Sequence, residues 1–106
     1  MNATLETIKN YLRSEFEMDD EEIEEMVELF IESMTELSET AKTQIEASDT
    51  AGLGEIGHSI KGAAANVGAS VISEIGKELE IAGKAGDLAK STEYATKFAE
   101  LVLELS

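Results

Sequence analysis

The chain has 106 residues and a formal net charge of −15, and it contains neither cysteine nor proline. Its length fits one domain, residues 1–106, with a core of its own, and the lack of cysteine excludes disulfides, thiolate metal sites and thiol chemistry. The eight lysine and arginine residues are too few and too scattered to form the basic surface that nucleic-acid binding requires.

The N-terminal segment, "MNATLETIKNYLRSEF", predicts a short helix that begins at Asn2 or Thr4. One side of this helix carries Leu5, Ile8, Leu12 and Phe16. The segment lacks the apolar core of a secretory signal, and no later segment is apolar for long enough to cross a bilayer. We therefore expect a cytoplasmic protein with no membrane contact.

The second helix is predicted to begin at "DDEEIEEM", where Asp19 can act as the N-cap and Glu22 occupies the capping-box position. Its apolar residues recur with helical spacing at Ile23, Met26, Val27, Phe30, Met34, Leu37, Ala41 and Ile45. The carboxylates between them form a solvated face whose charge suits the N-terminus of a helix.

Three further helices are predicted after a polar turn. Asp49 is the expected N-cap of the third helix, and Gly68 is expected to end it in a left-handed conformation. Ser70 should start the fourth helix, and Asp87 the fifth, directly after Gly86. The apolar residues are Ile72, Ile75, Leu79 and Ala82 in the fourth helix, and Leu88, Ala95, Phe98, Val102 and Leu105 in the fifth. Because the connections are short, we predict an all-α fold, an antiparallel four-helix bundle with a short extra N-terminal helix.

Two interpretations compete for "GLGEIGHSIKGAAANVG", residues 52–68, which contains the only histidine of the chain. Its first six residues match G-x-G-x-x-G, a phosphate-binding fingerprint that must follow a β-strand. A helix end and a polar turn precede it here, and no strand is predicted anywhere, so we reject a dinucleotide site. Read as a helix, the stretch has one apolar stripe, with Gly57 at its edge where a neighbouring helix can approach. The stripe consists of Leu53, Ile56, Ile60, Ala64 and Val67.

On this helix His58 lies roughly 150° from the apolar stripe, which is the solvent side. The residues that surround it on the helix surface are Gly54, Lys61, Gly62 and Ala65. A glycine inside a helix costs about 1 kcal/mol relative to alanine, so solvent-facing glycines are informative. We predict that Gly54 and Gly62 leave open space around His58, through which another protein can reach the imidazole.

The chemistry of this surface suits a phosphoryl carrier. Neutral imidazole is a nucleophile at neutral pH, and His58 is predicted to be exposed to an incoming electrophile. Lys61, one turn away, supplies a positive charge that can offset an anion on the ring and favours the neutral imidazole.

The motif "HSIKGAAANVG" resembles the H-x-x-K-G-x-x-x-x-x-G signature of histidine-containing phosphotransfer (HPt) domains. The matching positions are His58, Lys61, Gly62 and Gly68. The later stretch "LEIAGKAGDL" resembles the next helix of the family and the turn that follows it. The chain departs from the family at Gly57, where alanine is more common, and at Ile60, where leucine is.

The resemblance implies that His58 is the phosphorylated residue and that Lys61 and Gly62 support it, by charge and by clearance. It also implies that the partners are receiver domains of response regulators, or histidine kinases. The receiver would supply Mg²⁺, so we expect no cofactor or metal of the protein's own. We further expect a monomeric phosphocarrier without kinase activity, with Gly54 and Ala65 on its docking face.

Other site classes fit the sequence less well. Glu55-x-x-His58 has the spacing of di-iron helical bundles, but such sites need two of these motifs. "EMDDEEIEEM" lacks the glycine and the ligand spacing of a calcium-binding EF-hand loop. A serine hydrolase would need distant side chains to converge on an exposed helix face. The main alternative is a non-catalytic helical module that docks a partner through the His58 face without being phosphorylated.

Overall fold

The computed structural model describes residues 2–105, and within this range it contains five α-helices and no β-strand. The helices are α1 (Ala3–Phe16), α2 (Asp20–Glu46), α3 (Thr50–Asn66), α4 (Ser70–Lys84) and α5 (Leu88–Leu105). The all-α class predicted from the sequence is confirmed. None of these helices is both long and apolar enough to cross a membrane.

Three of the predicted helix starts, those of α2, α3 and α5, are confirmed by capping contacts. Asp19 and Glu22 form a complete capping box at the start of α2. Asp49 accepts a hydrogen bond of 2.9 Å from the backbone N–H of Gly52 at the start of α3. Asp87 accepts one of 3.0 Å from the N–H of Lys90 at the start of α5. These contacts satisfy N–H groups that have no partner inside their own helices.

The left-handed conformation predicted for Gly68 is also confirmed. Gly68 and Gly86 both have a φ of +72°, which glycine adopts without steric cost. The third tight turn, between α2 and α3, places Ser48 at a φ of 54° in the same role. There the N–H of Asp49 donates to the carbonyl of Gln44 at 2.9 Å, and the other two turns contain the equivalent hydrogen bond. The left-handed conformation of Ser48 was not predicted, because serine is not the usual residue at this position.

One core lies between the helices. α2 packs against α3 and α5, α4 packs against the same two helices, and α1 packs against α2. The largest fully buried apolar side chains come from all five helices and are Phe98, Ile8, Leu12, Ile23, Met34, Leu53, Ile60, Ile72 and Leu79. The predicted apolar stripes therefore face this core.

Three predicted core positions are wrong. Phe16 is 54% exposed and Leu88 is 37% exposed, because they are the last residue of α1 and the first of α5. Met26 is 36% exposed. It lies at the edge of the stripe formed by Ile23, Val27, Phe30 and Met34, so α2 turns it away from the core.

α3 and α4 run antiparallel and form the closest helix pair of the fold. Gly54 lies against Gly83 near one end of the contact, and Lys61 lies against Gly76 near the other. This pairing determines which residues of α4 lie beside His58.

Candidate functional site

His58 lies on the exposed face of α3, and 69% of its side chain is accessible to solvent. A Cβ atom added to Gly62 would meet nothing within 4 Å. Ala65, two turns after His58, is exposed as well. The predictions that His58 faces solvent and that Gly62 leaves open space beside it are therefore confirmed.

The prediction that Gly54 also faces solvent is wrong. Gly54 is buried, and an added Cβ would lie 3.2 Å from the backbone nitrogen of Lys84 and 3.3 Å from the carbonyl carbon of Gly83. The buried side of α3 is wider than its apolar stripe, because α4 approaches at glycine positions that carry no side chain. Gly54 thus lies in the contact between α3 and α4, and its role in partner docking stays a prediction.

The prediction for Gly57 is confirmed. A Cβ added there would lie 2.7 Å from the carbonyl oxygen of Gly76 and 2.9 Å from the Cα atom of Glu80. Ordinary contacts between carbon atoms are about 3.5–4.0 Å long, so no side chain fits at this position. The backbone of α4 therefore lies directly against α3 at the residue before His58.

This approach brings a buried carboxylate to the imidazole. Glu80 of α4 is only 7% exposed, and one of its oxygens, Oε2, lies 2.8 Å from Nδ1 of His58. Its other oxygen, Oε1, accepts a hydrogen bond of 2.6 Å from Nζ of Lys61. Lys84, one turn later on α4, donates to Oε2 at 3.1 Å. The site is thus a cluster of one carboxylate, two ammonium groups and one imidazole.

The charge of Glu80 follows from these contacts. The hydrogen bonds from Lys61, Lys84 and His58 lower the pKa of Glu80 from 4.5 to about 2, although burial acts in the opposite direction. Glu80 is therefore ionised at neutral pH and can only accept hydrogen bonds. Nδ1 of His58 must then carry the proton of their shared hydrogen bond, so in the neutral ring the lone pair is on Nε2.

Lys61 lies beside His58, as predicted, and it is bound to α4. Its side chain is 38% exposed and its ammonium group is bound to Glu80. Its backbone carbonyl accepts a hydrogen bond of 3.0 Å from Ser73 of α4. Lys61 is thus held beside His58 by α4, and its support of a phosphoryl group stays a prediction.

Glu80 and Lys84 were not predicted as site residues. The apolar stripe of α4, taken alone, gives no reason to distinguish a glutamate next to Leu79 from an ordinary surface charge. A usable signal was present, since Gly76 and Gly83 flank Glu80 one turn away on either side. Glycines on α4, opposite the glycines of α3, indicate that the backbones touch and that the residue between them is buried.

The surface around His58 is a shallow, open groove. It is lined by Gly54, Glu55, His58, Ser59, Glu80 and Lys84. Across residues 2–105, no group of three or more His, Asp or Glu side chains is placed to hold a metal ion. A small ligand would find little enclosure here, whereas a protein surface can reach the imidazole.

Comparison with known proteins adds to this description. The family model described as Hpt domain matches residues 25–106, which include α3, α4 and the whole cluster around His58. No curated protein and no solved structure matches the chain significantly. Because the family match extends over most of its length, the chain belongs to the Hpt domain family.

Proposed function

We propose that this protein is a histidine phosphotransfer protein, which carries a phosphoryl group on Nε2 of His58 to or from a receiver-domain aspartate. Its family acts in phosphotransfer within two-component relays. The observation that carries the proposal is the 2.8 Å hydrogen bond between Nδ1 and the buried Glu80. It gives an exposed imidazole the tautomer in which Nε2 can attack phosphorus.

The transfer balances as a simple displacement. The Nε2 lone pair forms a bond to phosphorus while the bond from phosphorus to the aspartate oxygen breaks, and the aspartate leaves as a carboxylate. The imidazole ring, which keeps its Nδ1 proton, becomes positively charged. Glu80 accepts the hydrogen bond from Nδ1–H, so its negative charge stabilises the ring as the positive charge develops.

The two lysines can stabilise the negative charge of the transferred phosphoryl group. Glu80 contributes one negative charge, and Lys61 and Lys84 contribute two positive charges, so the cluster has a net charge of +1 when His58 is neutral. A phosphoryl group on Nε2 would enter this positive region in a protein that is otherwise strongly acidic. Ion pairing with either ammonium would stabilise it.

The proposal also covers cofactors, oligomeric state, helix arrangement and partner docking. The protein brings no metal or cofactor of its own, and the receiver supplies Mg²⁺. It acts as a cytoplasmic monomer, in which α2 to α5 form an antiparallel four-helix bundle with α1 at one end. The receiver docks on the exposed face of α3, around Gly62 and Ala65.

The first test is labelling of His58. Several phosphorylated receivers should be tried as donors. We expect at least one of them to transfer acid-labile phosphate to the wild-type protein but not to His58→Gln. ATP alone should label neither. Circular dichroism should show equal helical content in both proteins. Label that persists in His58→Gln would contradict the assignment of His58. Complete failure of the wild type to accept phosphate, with receiver binding retained, would favour the non-catalytic docking module.

A further inference from the structure

The contact between α3 and α4 is built from four glycines, which we call the glycine seam: Gly54 and Gly57 of α3, and Gly76 and Gly83 of α4. Added Cβ atoms at Gly57, Gly76 and Gly83 would each come within 3.0 Å of backbone atoms of the opposite helix. The seam therefore sets the α3–α4 separation by backbone contact, which side-chain rotation cannot relieve.

Glu80 lies in the middle of the seam. An added Cβ at Gly57 would overlap the backbone nitrogen of Glu80, and this is the closest of its contacts. His58, the next residue on α3, binds the carboxylate of the same glutamate. The contact that sets the helix separation and the hydrogen bond that sets the imidazole tautomer thus involve adjacent residues of α3 and one residue of α4.

We propose that Gly57 is a positioning residue for phosphoryl transfer, because its lack of a side chain brings Glu80 close enough to hold Nδ1–H of His58. The part of this inference that concerns transfer rests on the proposed function. The part that concerns the imidazole tautomer does not.

The distances show why one methyl group matters. The contacts of 2.7 and 2.9 Å at Gly57 would have to lengthen by roughly 0.5–1 Å to reach ordinary van der Waals separation. The hydrogen bond between Nδ1 and Glu80 is 2.8 Å long, and a polar contact of about 3.6 Å is no longer a hydrogen bond. Without that acceptor, neutral His58 would return to the Nε2–H tautomer that imidazole side chains favour in water. Nε2 would then lack the lone pair that attacks phosphorus.

The test is the tautomer of His58, measured by ¹⁵N NMR under alkaline conditions in which the ring is neutral. In the wild type we expect mainly the Nδ1–H form, and in Gly57→Ala a clear shift towards the Nε2–H form. Phosphoryl acceptance should slow by about tenfold or more, since small misplacements of reacting groups have effects of this size. An unchanged tautomer in a folded Gly57→Ala protein would overturn the proposal.

Two variants separate positioning from loss of stability. Gly86→Ala is a matched control, because it also strains a glycine position but lies in the turn after α4 and meets nothing within 4 Å. It should leave the tautomer unchanged, and a shift there equal to that in Gly57→Ala would overturn the proposal.

Gly54→Ala is a milder change at the seam, with contacts of 3.2 and 3.3 Å. It should shift the tautomer less than Gly57→Ala does, and it carries the test if Gly57→Ala does not fold. No shift in Gly54→Ala would then count against the proposal.

A double-mutant cycle with Glu80→Asp shows whether Gly57 acts through Glu80. Aspartate keeps the charge but withdraws the carboxylate by one methylene, so Glu80→Asp alone should reproduce the tautomer shift. Adding Gly57→Ala to Glu80→Asp should change the tautomer no further, whereas independent effects would add and would overturn the proposal. If the tautomer shifts as expected while the wild type accepts no phosphate, the proposed function fails and only the effect of Gly57 on the imidazole tautomer stands.

Discussion

At the scale of single residues, the glycines around His58 have opposite roles. Gly62 faces open space, whereas Gly54 packs against α4. Replacing Gly62 by glutamine should raise the free energy of unfolding by about 0.5 kcal/mol, because glutamine is the better helix former. The new side chain would stand one turn from His58 and obstruct the receiver, so phosphoryl acceptance should fall sharply.

Urea unfolding and transfer, measured on the same preparation, test both halves of this prediction. Gly62→Ala is the control, since it should stabilise the helix by up to about 1 kcal/mol with far less obstruction. A loss of stability in either variant would mean that Gly62 is needed for packing. Normal transfer by Gly62→Gln would mean that the clearance has no function.

Glu80 should leave a signature in the pH dependence of stability. Its pKa in the folded protein is about 2, against an ordinary value of 4.5. A depressed pKa means that ionised Glu80 stabilises the fold above about pH 4.5, and that this contribution is lost as the pH falls from 4.5 towards 2. Unfolding midpoints of the wild type and Glu80→Gln should therefore differ most near pH 7 and converge near pH 2. A constant difference over this range would show that the charge of Glu80 does not stabilise the fold.

At the scale of the elements, the three tight turns allow a comparison of their left-handed residues. Ser48 and Gly86 have φ values of 54° and +72°, and a side chain at such a φ costs roughly 1 kcal/mol. We expect Ser48→Gly to stabilise the protein and Gly86→Ala to destabilise it, each by about that amount. Because a Cβ at Gly86 would meet nothing within 4 Å, its effect is conformational alone. Thermal unfolding measures both, and equal melting temperatures for Gly86→Ala and the wild type would contradict this account of the turns.

At the scale of the whole molecule, the net charge of −15 places many carboxylates on one small surface. Their mutual repulsion destabilises the compact state, and salt screens it. We expect the melting temperature at neutral pH to rise as sodium chloride is increased from about 0.01 to 0.5 M, because exposed charges are screened over this range. A fall in melting temperature would mean that the ion pairs of Glu80 outweigh the repulsion between the other carboxylates.

The amino-acid sequence by itself determined the helices and the place of the histidine. Capping residues such as Asp19 and Asp49, and turn residues such as Gly68, act on neighbours within a few positions, so local patterns predict them. The period of the apolar residues separates buried from exposed faces, which is why His58 and Gly62 were placed on the solvent side. These properties depend on one helix at a time.

Only the tertiary structure decided what surrounds the imidazole. Whether a glycine clears space or packs depends on the helix opposite it, and the pattern of α3 alone does not distinguish Gly54 from Gly62. Glu80 and Lys84 reach His58 because α4 runs antiparallel to α3 with its backbone against Gly57. That register is set by contacts between residues about 20 positions apart, which the spacing of apolar residues within one helix does not reveal. The exposed histidine was therefore predictable from the sequence, whereas the carboxylate that binds its Nδ1 emerged only from the packing of two helices.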